Sequence, residues 1–198
     1  MKKQEFNKIN RFILTSAIAL SSGITLSSHA SVVINEIDYD QPGTDTAEFI
    51  ELYNAGSSAV SLDDFTIELI NGNNALSYRT INLSSFNIDA NAYFVVCGDA
   101  SLVANCDYSF TTTTSWMQNG APDGVGLYEN GSLLDSLSYE GVLFPLTEGD
   151  QLLVIDNAID NFSISRIANG IDTNNNADDF QLGCITPGTI NIAGTGDC

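Results

Sequence analysis

The chain reads as an all-β protein, a single immunoglobulin-like antiparallel β-sandwich, and three features of the sequence predict this fold. Short runs rich in Val, Ile, Phe and Tyr recur along it. Clusters of Gly, Asn, Asp and Ser separate those runs roughly every eight to twelve residues. After residue 30 there is almost no helical periodicity, and no alternation of strand and helix that would build a parallel sheet.

The segments follow in order. Residues 1–30 have the three parts of a secretory signal: a basic start (Lys2, Lys3, Lys8, Arg11), an apolar run over 13–26 diluted with Ser and Thr, and Ser28-His29-Ala30, which places cleavage after Ala30. The run is too short and too polar to span a bilayer. No Cys follows the cut and no later apolar stretch is long enough, so no membrane anchor is expected. Residues 31–198 are read as one exported domain, periplasmic or secreted.

Residues 32–37 (VVINEI) are apolar on both faces, as in a strand covered on both sides. An acidic Pro-Gly loop leads to 47–54, where Ile50 and Leu52 on one face point to the core, opposite Phe49, Glu51 and Tyr53. Residues 60–62 and 65–70 continue as strands around the bend Asp63-Asp64. Asn71-Gly72-Asn73-Asn74, tolerant of positive φ, then reverses the chain toward a hairpin partner at 78–83. The next strand is 92–97, and 100–115 is a polar surface connection before Trp116 and Met117, which cap the core. Asn130-Gly131 between 124–128 and 133–139 is the strongest hairpin signal. Residues 151–155 form a short strand or helical turn, 162–167 are the last strand, and an Asn-, Asp- and Gly-rich tail is anchored by Phe180, Pro187 and a disulfide.

Removing residues 1–30 leaves Arg79 and Arg166 against 24 Asp and Glu, a formal charge of −22. No Lys or His remains, since His29 also departs. Nucleophile–His systems, His bases, Lys Schiff bases and His-containing zinc sites are thereby excluded. Direct binding of nucleic acid, whose affinity comes mainly from cations on the protein, is disfavoured. Cys97, Cys106, Cys184 and Cys198 all lie beyond the cut, and four cysteines in an exported chain favour disulfides. Three pairings are open. The two local ones, Cys97 with Cys106 and Cys184 with Cys198, need the least rearrangement.

Ca²⁺, held by carboxylate oxygens, is the one cofactor the residues offer. Asp38, Asp40, Asp45 and Glu48 surround the first loop and form the first candidate set. Asp172, Asn174, Asn176 and Asp178 imitate the start of an EF-hand loop, but the sixth position is Ala177 and the twelfth Gly183, so the loop is not an EF-hand. Glu36, Glu48 and Glu51 offer carboxylates of the kind glycoside hydrolysis uses, without a legible groove of sugar-stacking aromatics. Arg166 is expected to be partly buried and ion-paired with Glu36 or Glu48.

Ile34-Asn35-Glu36-Ile37, Glu48-Phe49-Ile50-Glu51-Leu52-Tyr53-Asn54, and Leu62 with Phe65 resemble the opening of the lamin tail domain as it occurs in exported bacterial proteins. Gly124-Val125-Gly126-Leu127, Leu134-Asp135-Ser136-Leu137-Ser138-Tyr139, Ser163-Ile164-Ser165-Arg166, Asp179-Phe180 and Thr186-Pro187-Gly188 follow in matching order. The resemblance implies an immunoglobulin-like sandwich without activity of its own, akin to accessory modules that accompany secreted nucleases and other hydrolases. Its partner would be a protein or another component of the extracellular space or envelope. The animal domain's association with chromatin is not carried over to so anionic a surface.

Overall fold

In chain order the strands are β1 (Val32–Asp38), β2 (Phe49–Asn54), β3 (Val60–Ser61), β4 (Phe65–Asn71), β5 (Leu76–Asn82), β6 (Asn87–Ile88), β7 (Tyr93–Cys97), β8 (Cys106–Ser109), β9 (Asp123–Glu129), β10 (Ser132–Tyr139), β11 (Phe162–Arg166) and β12 (Phe180–Cys184). One short helix, α1 (Asn176–Asp179), precedes β12. The computed structural model describes Met1, residues 31–109 and 116–194, and Cys198. The expected signal segment, apart from Met1, and residues 110–115 of the polar connection lie outside the described residues.

Six strands form one sheet in the order β12-β11-β1-β2-β7-β8, four form a second in the order β10-β9-β4-β5, and β3 pairs with β6 at the side. Alternation builds the core between the two sheets: Ile34, Ile50, Leu52, Phe94 and Val96 meet Phe65, Ile67, Leu69, Val125, Leu127 and Leu137. Trp116 and Met117 close it, each 2% exposed. The outward face of the larger sheet is covered as well. Phe49, Val95 and Cys97 pack there with Val103 in a second apolar cluster, and residues 186–191 reach Glu36, Glu51 and Asn35 beside it. Every residue of β1 is therefore buried.

Turn chemistry follows the residues. Asn130 and Gly131, at φ 50° and 76°, make the β9–β10 hairpin turn. In the β4–β5 turn the positive φ falls on Ala75, while Gly72 is needed for a different reason: a Cβ there would lie 2.0 Å from the Pro122 carbonyl oxygen.

Three expectations need correction. The connection 100–115 contains β8, which runs parallel to β7 and is tied to it by Cys97–Cys106, with sulfurs 2.02 Å apart. Its alternation Cys-Asp-Tyr-Ser is too short and polar to stand out. Residues 151–155 form neither strand nor helix. β11 is not the last strand, because β12 pairs antiparallel along its whole length, from Phe162 opposite Cys184 to Arg166 opposite Phe180. Gly183 permits that approach, since a Cβ there would meet Ser165 Oγ at 2.6 Å. The second disulfide, Cys184–Cys198, holds the tail to β12.

Candidate functional site

The buried acids are the chemistry-bearing residues of this fold: Glu36, Asp38, Glu48, Glu51 and Asp135 sit on a strand or at a strand end, and Asp156 in the irregular stretch between β10 and β11. Glu48, just before β2, accepts hydrogen bonds from the Trp116 N–H at 2.6 Å and the Met117 N–H at 3.3 Å, and its carbonyl accepts from Trp116 Nε1. Burial pushes its carboxyl up to about 8 against the pull of those two donors. Glu51 sits on the outward face of β2, accepting from Asn35 Nδ2 at 2.7 Å and the Gly188 N–H at 2.6 Å; burial raises it likewise to about 8. Glu36 on β1 accepts from Ser163 Oγ, the Thr186 N–H and Thr186 Oγ1, and burial raises it too. Glu36, Glu48 and Glu51 are thus occupied by donors of the fold and form no acid pair facing a groove.

The first candidate metal set does not converge. The one threesome of carboxylates gathered closely enough for a metal among the described residues lies elsewhere. Asp38 turns inward, taking Gln41 Nε2 at 2.6 Å, and Asp45 accepts the Gln41 N–H. Glu48 faces Trp116. Asp38 instead meets Asp156, whose Oδ2 accepts the N–H groups of Tyr39 and Asp40 at 2.9 and 3.2 Å. The other oxygens, Asp38 Oδ2 and Asp156 Oδ1, are buried without a donor. Burial, and then the charge of Asp156, holds Asp38 well above the carboxylate range. Two such groups in contact share a proton.

Arg166 is fully buried, but its partners are not Glu36 or Glu48. Its NH2 donates to both oxygens of Asp135 at 3.0 and 3.2 Å, its NH1 to Asp179 at 2.6 Å and to the Ile171 carbonyl, and its Nε to the Ile34 carbonyl. Asp172 lies 3.8 Å away, and the guanidinium rests over the Phe180 ring at 4.3 Å. Glu36 and Glu48 already have their donors, and neither takes part in this cluster. Of the second candidate metal set, Asn174 and Asp178 are exposed, whereas Asn176 is buried. Asp172 Oδ1 accepts the Asn174 N–H, Asp178 accepts from Asn175, and Asn176 turns inward.

The gathered threesome is Asp135, Glu148 and Asp172, with ligand atoms within 4.8 Å of one another. Burial raises Asp135 to about 6 despite Arg166, and raises Glu148 to about 7 with the help of Asp135. Sequence reasoning picked out neither of them as a site residue, nor Asp156. The available signal was Asp135 itself, an acid on an otherwise apolar or small-residue strand at which the β9–β10 register shifts. A separate cleft of about 470 Å³ opens beside Asp38, with Pro42, Leu102, Val103, Ile185 and Pro187 in its wall. Leu102 is exposed there.

No curated protein matches the chain. Among solved structures it is similar to a DUF4876 family protein from Bacteroides thetaiotaomicron, with a TM-score of 0.57 and 11% identity over 85% of this chain and 75% of that one. Likeness at that identity speaks for the fold alone. A family model described as Lamin Tail Domain matches residues 25–141, more than half of the chain. Together with the immunoglobulin-like sandwich, this shows that the chain belongs to the lamin tail domain family.

Proposed function

We propose that this domain is a non-catalytic binding module of the extracellular space or envelope, which holds a partner protein at the cleft beside Leu102. One observation carries the reading. Glu36, Glu48 and Glu51, the acids of the kind glycoside hydrolysis uses, are engaged by N–H and O–H donors of the fold. The cleft offers apolar wall residues in a chain whose residues 31–198 carry a formal charge of −22. That combination suits a segment with an apolar anchor flanked by Lys or Arg. Two disulfides fit an oxidising compartment.

Selection from a displayed random-peptide library tests the reading. Basic peptides with an apolar anchor are expected, with binding lost in Leu102→Asp. Enrichment of acidic peptides, or retention of binding in that variant, overturns the cleft assignment. Turnover of glycoside, phosphodiester or peptide substrates by the purified protein overturns the non-catalytic reading.

A further inference from the structure

Among the described residues, the cleft of about 470 Å³ beside Leu102 has one charged residue in its wall, Asp38. The direction of its side chain follows from the register. Asp38 stands opposite Phe49 across β1 and β2, and directly opposed residues carry their side chains to the same face of a sheet. Phe49 belongs to the outer apolar cluster with Val103, and both line the cleft. The Asp38 carboxyl is therefore directed to the outer face, where the cleft lies. Gln41, which donates to Asp38 Oδ1 at 2.6 Å, is a wall residue too.

A second and independent observation is the state of that carboxyl. Asp38 is 1% exposed, and its Oδ2 has no hydrogen-bond donor. Asp156 beside it is in the same state: its Oδ2 accepts the Tyr39 and Asp40 N–H groups, and its Oδ1 has no donor. One proton shared between the two carboxyls still leaves one negative charge. Neither cation of residues 31–198 answers it. Arg166 is held by Asp135 and Asp179, and Arg79 acts on Glu48, while the further charge acting on Asp38, that of Glu36, is negative. A buried charge without a counter-charge is costly, and the cleft is the side from which one can arrive.

We propose that the cleft takes an arginine side chain of the partner protein, with its guanidinium on Asp38 and its methylene stem along Phe49, Val103 and Pro187. This rests on the binding-module reading of the cleft and names the side chain that the cleft selects. A guanidinium is more weakly hydrated than an ammonium, which suits a carboxylate shielded from water. Its stem buries apolar surface on the way in. Asp38 Oδ1 stays with Gln41, so Oδ2 is the acceptor left for the ligand. Gln41 Oε1 also accepts the Ala47 N–H, which ties the 41–47 wall loop to Asp38 and holds wall and acceptor as one unit. A single negative charge in an otherwise uncharged wall favours a cation over an acidic or amide side chain of the same length.

Peptides that differ in one side chain test the assignment on the disulfide-bonded protein. Acetyl-Ala-Leu-X-Leu-Ala amide, with X as Arg, Lys or citrulline, is titrated while the methyl resonances of Leu102, Val103 and Ile185 are followed. The Arg peptide should saturate and shift those methyls. Citrulline, its neutral counterpart, should bind roughly tenfold more weakly or worse, as loss of a charge-assisted hydrogen bond implies. Asp38→Asn should weaken the Arg peptide by a similar factor. That variant keeps an oxygen for Gln41, its thermal midpoint checks that it folds, and the citrulline comparison needs no variant at all. The proposal is overturned if the Arg peptide shows no saturable binding up to about 10 mM. It is equally overturned by equal affinity for citrulline, by unchanged Arg binding in Asp38→Asn, or by Lys binding as tightly as Arg. Any of those last three with the methyl shifts in place leaves the cleft reading standing, whereas Arg binding that shifts none of the three methyls removes both.

Discussion

At the scale of single residues, the decisive contacts are polar groups with no route to water. Arg166→Ala removes the partner of Asp135, which is itself fully buried, and should cost about 3–5 kcal/mol, the usual penalty for leaving one half of a buried ion pair. Urea denaturation reads this directly, and an unchanged midpoint would contradict the role given to Arg166. Glu48→Ala takes the carboxylate from the N–H groups of Trp116 and Met117 and should cost about 1–3 kcal/mol. A red-shifted Trp116 emission should accompany the loss, because the carboxylate pins the backbone that carries the buried indole. The burial of Arg166 was readable in the sequence, since a strand cation among apolar neighbours must be paired. Its partners were not, because Asp135 stands 31 residues earlier and on the other sheet.

At the scale of elements, the irregular stretch between β10 and β11 is fastened to the end of β1 by Asp156. Asp156→Asn keeps an oxygen for the Tyr39 and Asp40 N–H groups and sets an NH₂ against Asp38 Oδ2, where two carboxyls now compete. The raised value of Asp38 means that the native pair is at its best protonated and loses stability as pH rises. The variant should therefore be more stable than the parent at pH 8, by about 1–2 kcal/mol, and show little gain at pH 5. Equal midpoints at both values would disprove the shared proton. Strands with strong alternation, such as 49–54 and 65–71, were legible because Ile50, Leu52, Ile67 and Leu69 mark a face by themselves. β8 and β12 were not. Their places depend on a disulfide and on Gly183 admitting a neighbour, and neither is a periodic signal.

At the scale of the whole molecule, the buried acids set a common direction for the response to pH. The folded values of Glu48 and Glu51, near 8, of Glu148, near 7, and of Asp135, near 6, all lie above the ordinary 4.5 or 3.8. The folded chain thus binds more protons than the unfolded chain across that interval. The stability these groups contribute is complete below about pH 4 and is lost as pH climbs through 6 to 8. Thermal midpoints measured in EDTA should be higher at pH 5 than at pH 8, and the reverse order would refute the assignment. The sandwich was readable from strand runs and turns. The electrostatic design was not, because 24 acids look alike in sequence until the covering of the outer face of β1 and β2 separates buried from exposed ones. The place of β1 has a kinetic consequence. Its neighbours β2 and β11 come from opposite ends of the domain, and its partner Ile164 is more than a hundred residues away along the chain. Closing so long a loop is slow. Until β11 arrives, one side of an apolar strand stands open as a template for a second chain, so a version shortened to end before Phe162 should self-associate rather than fold.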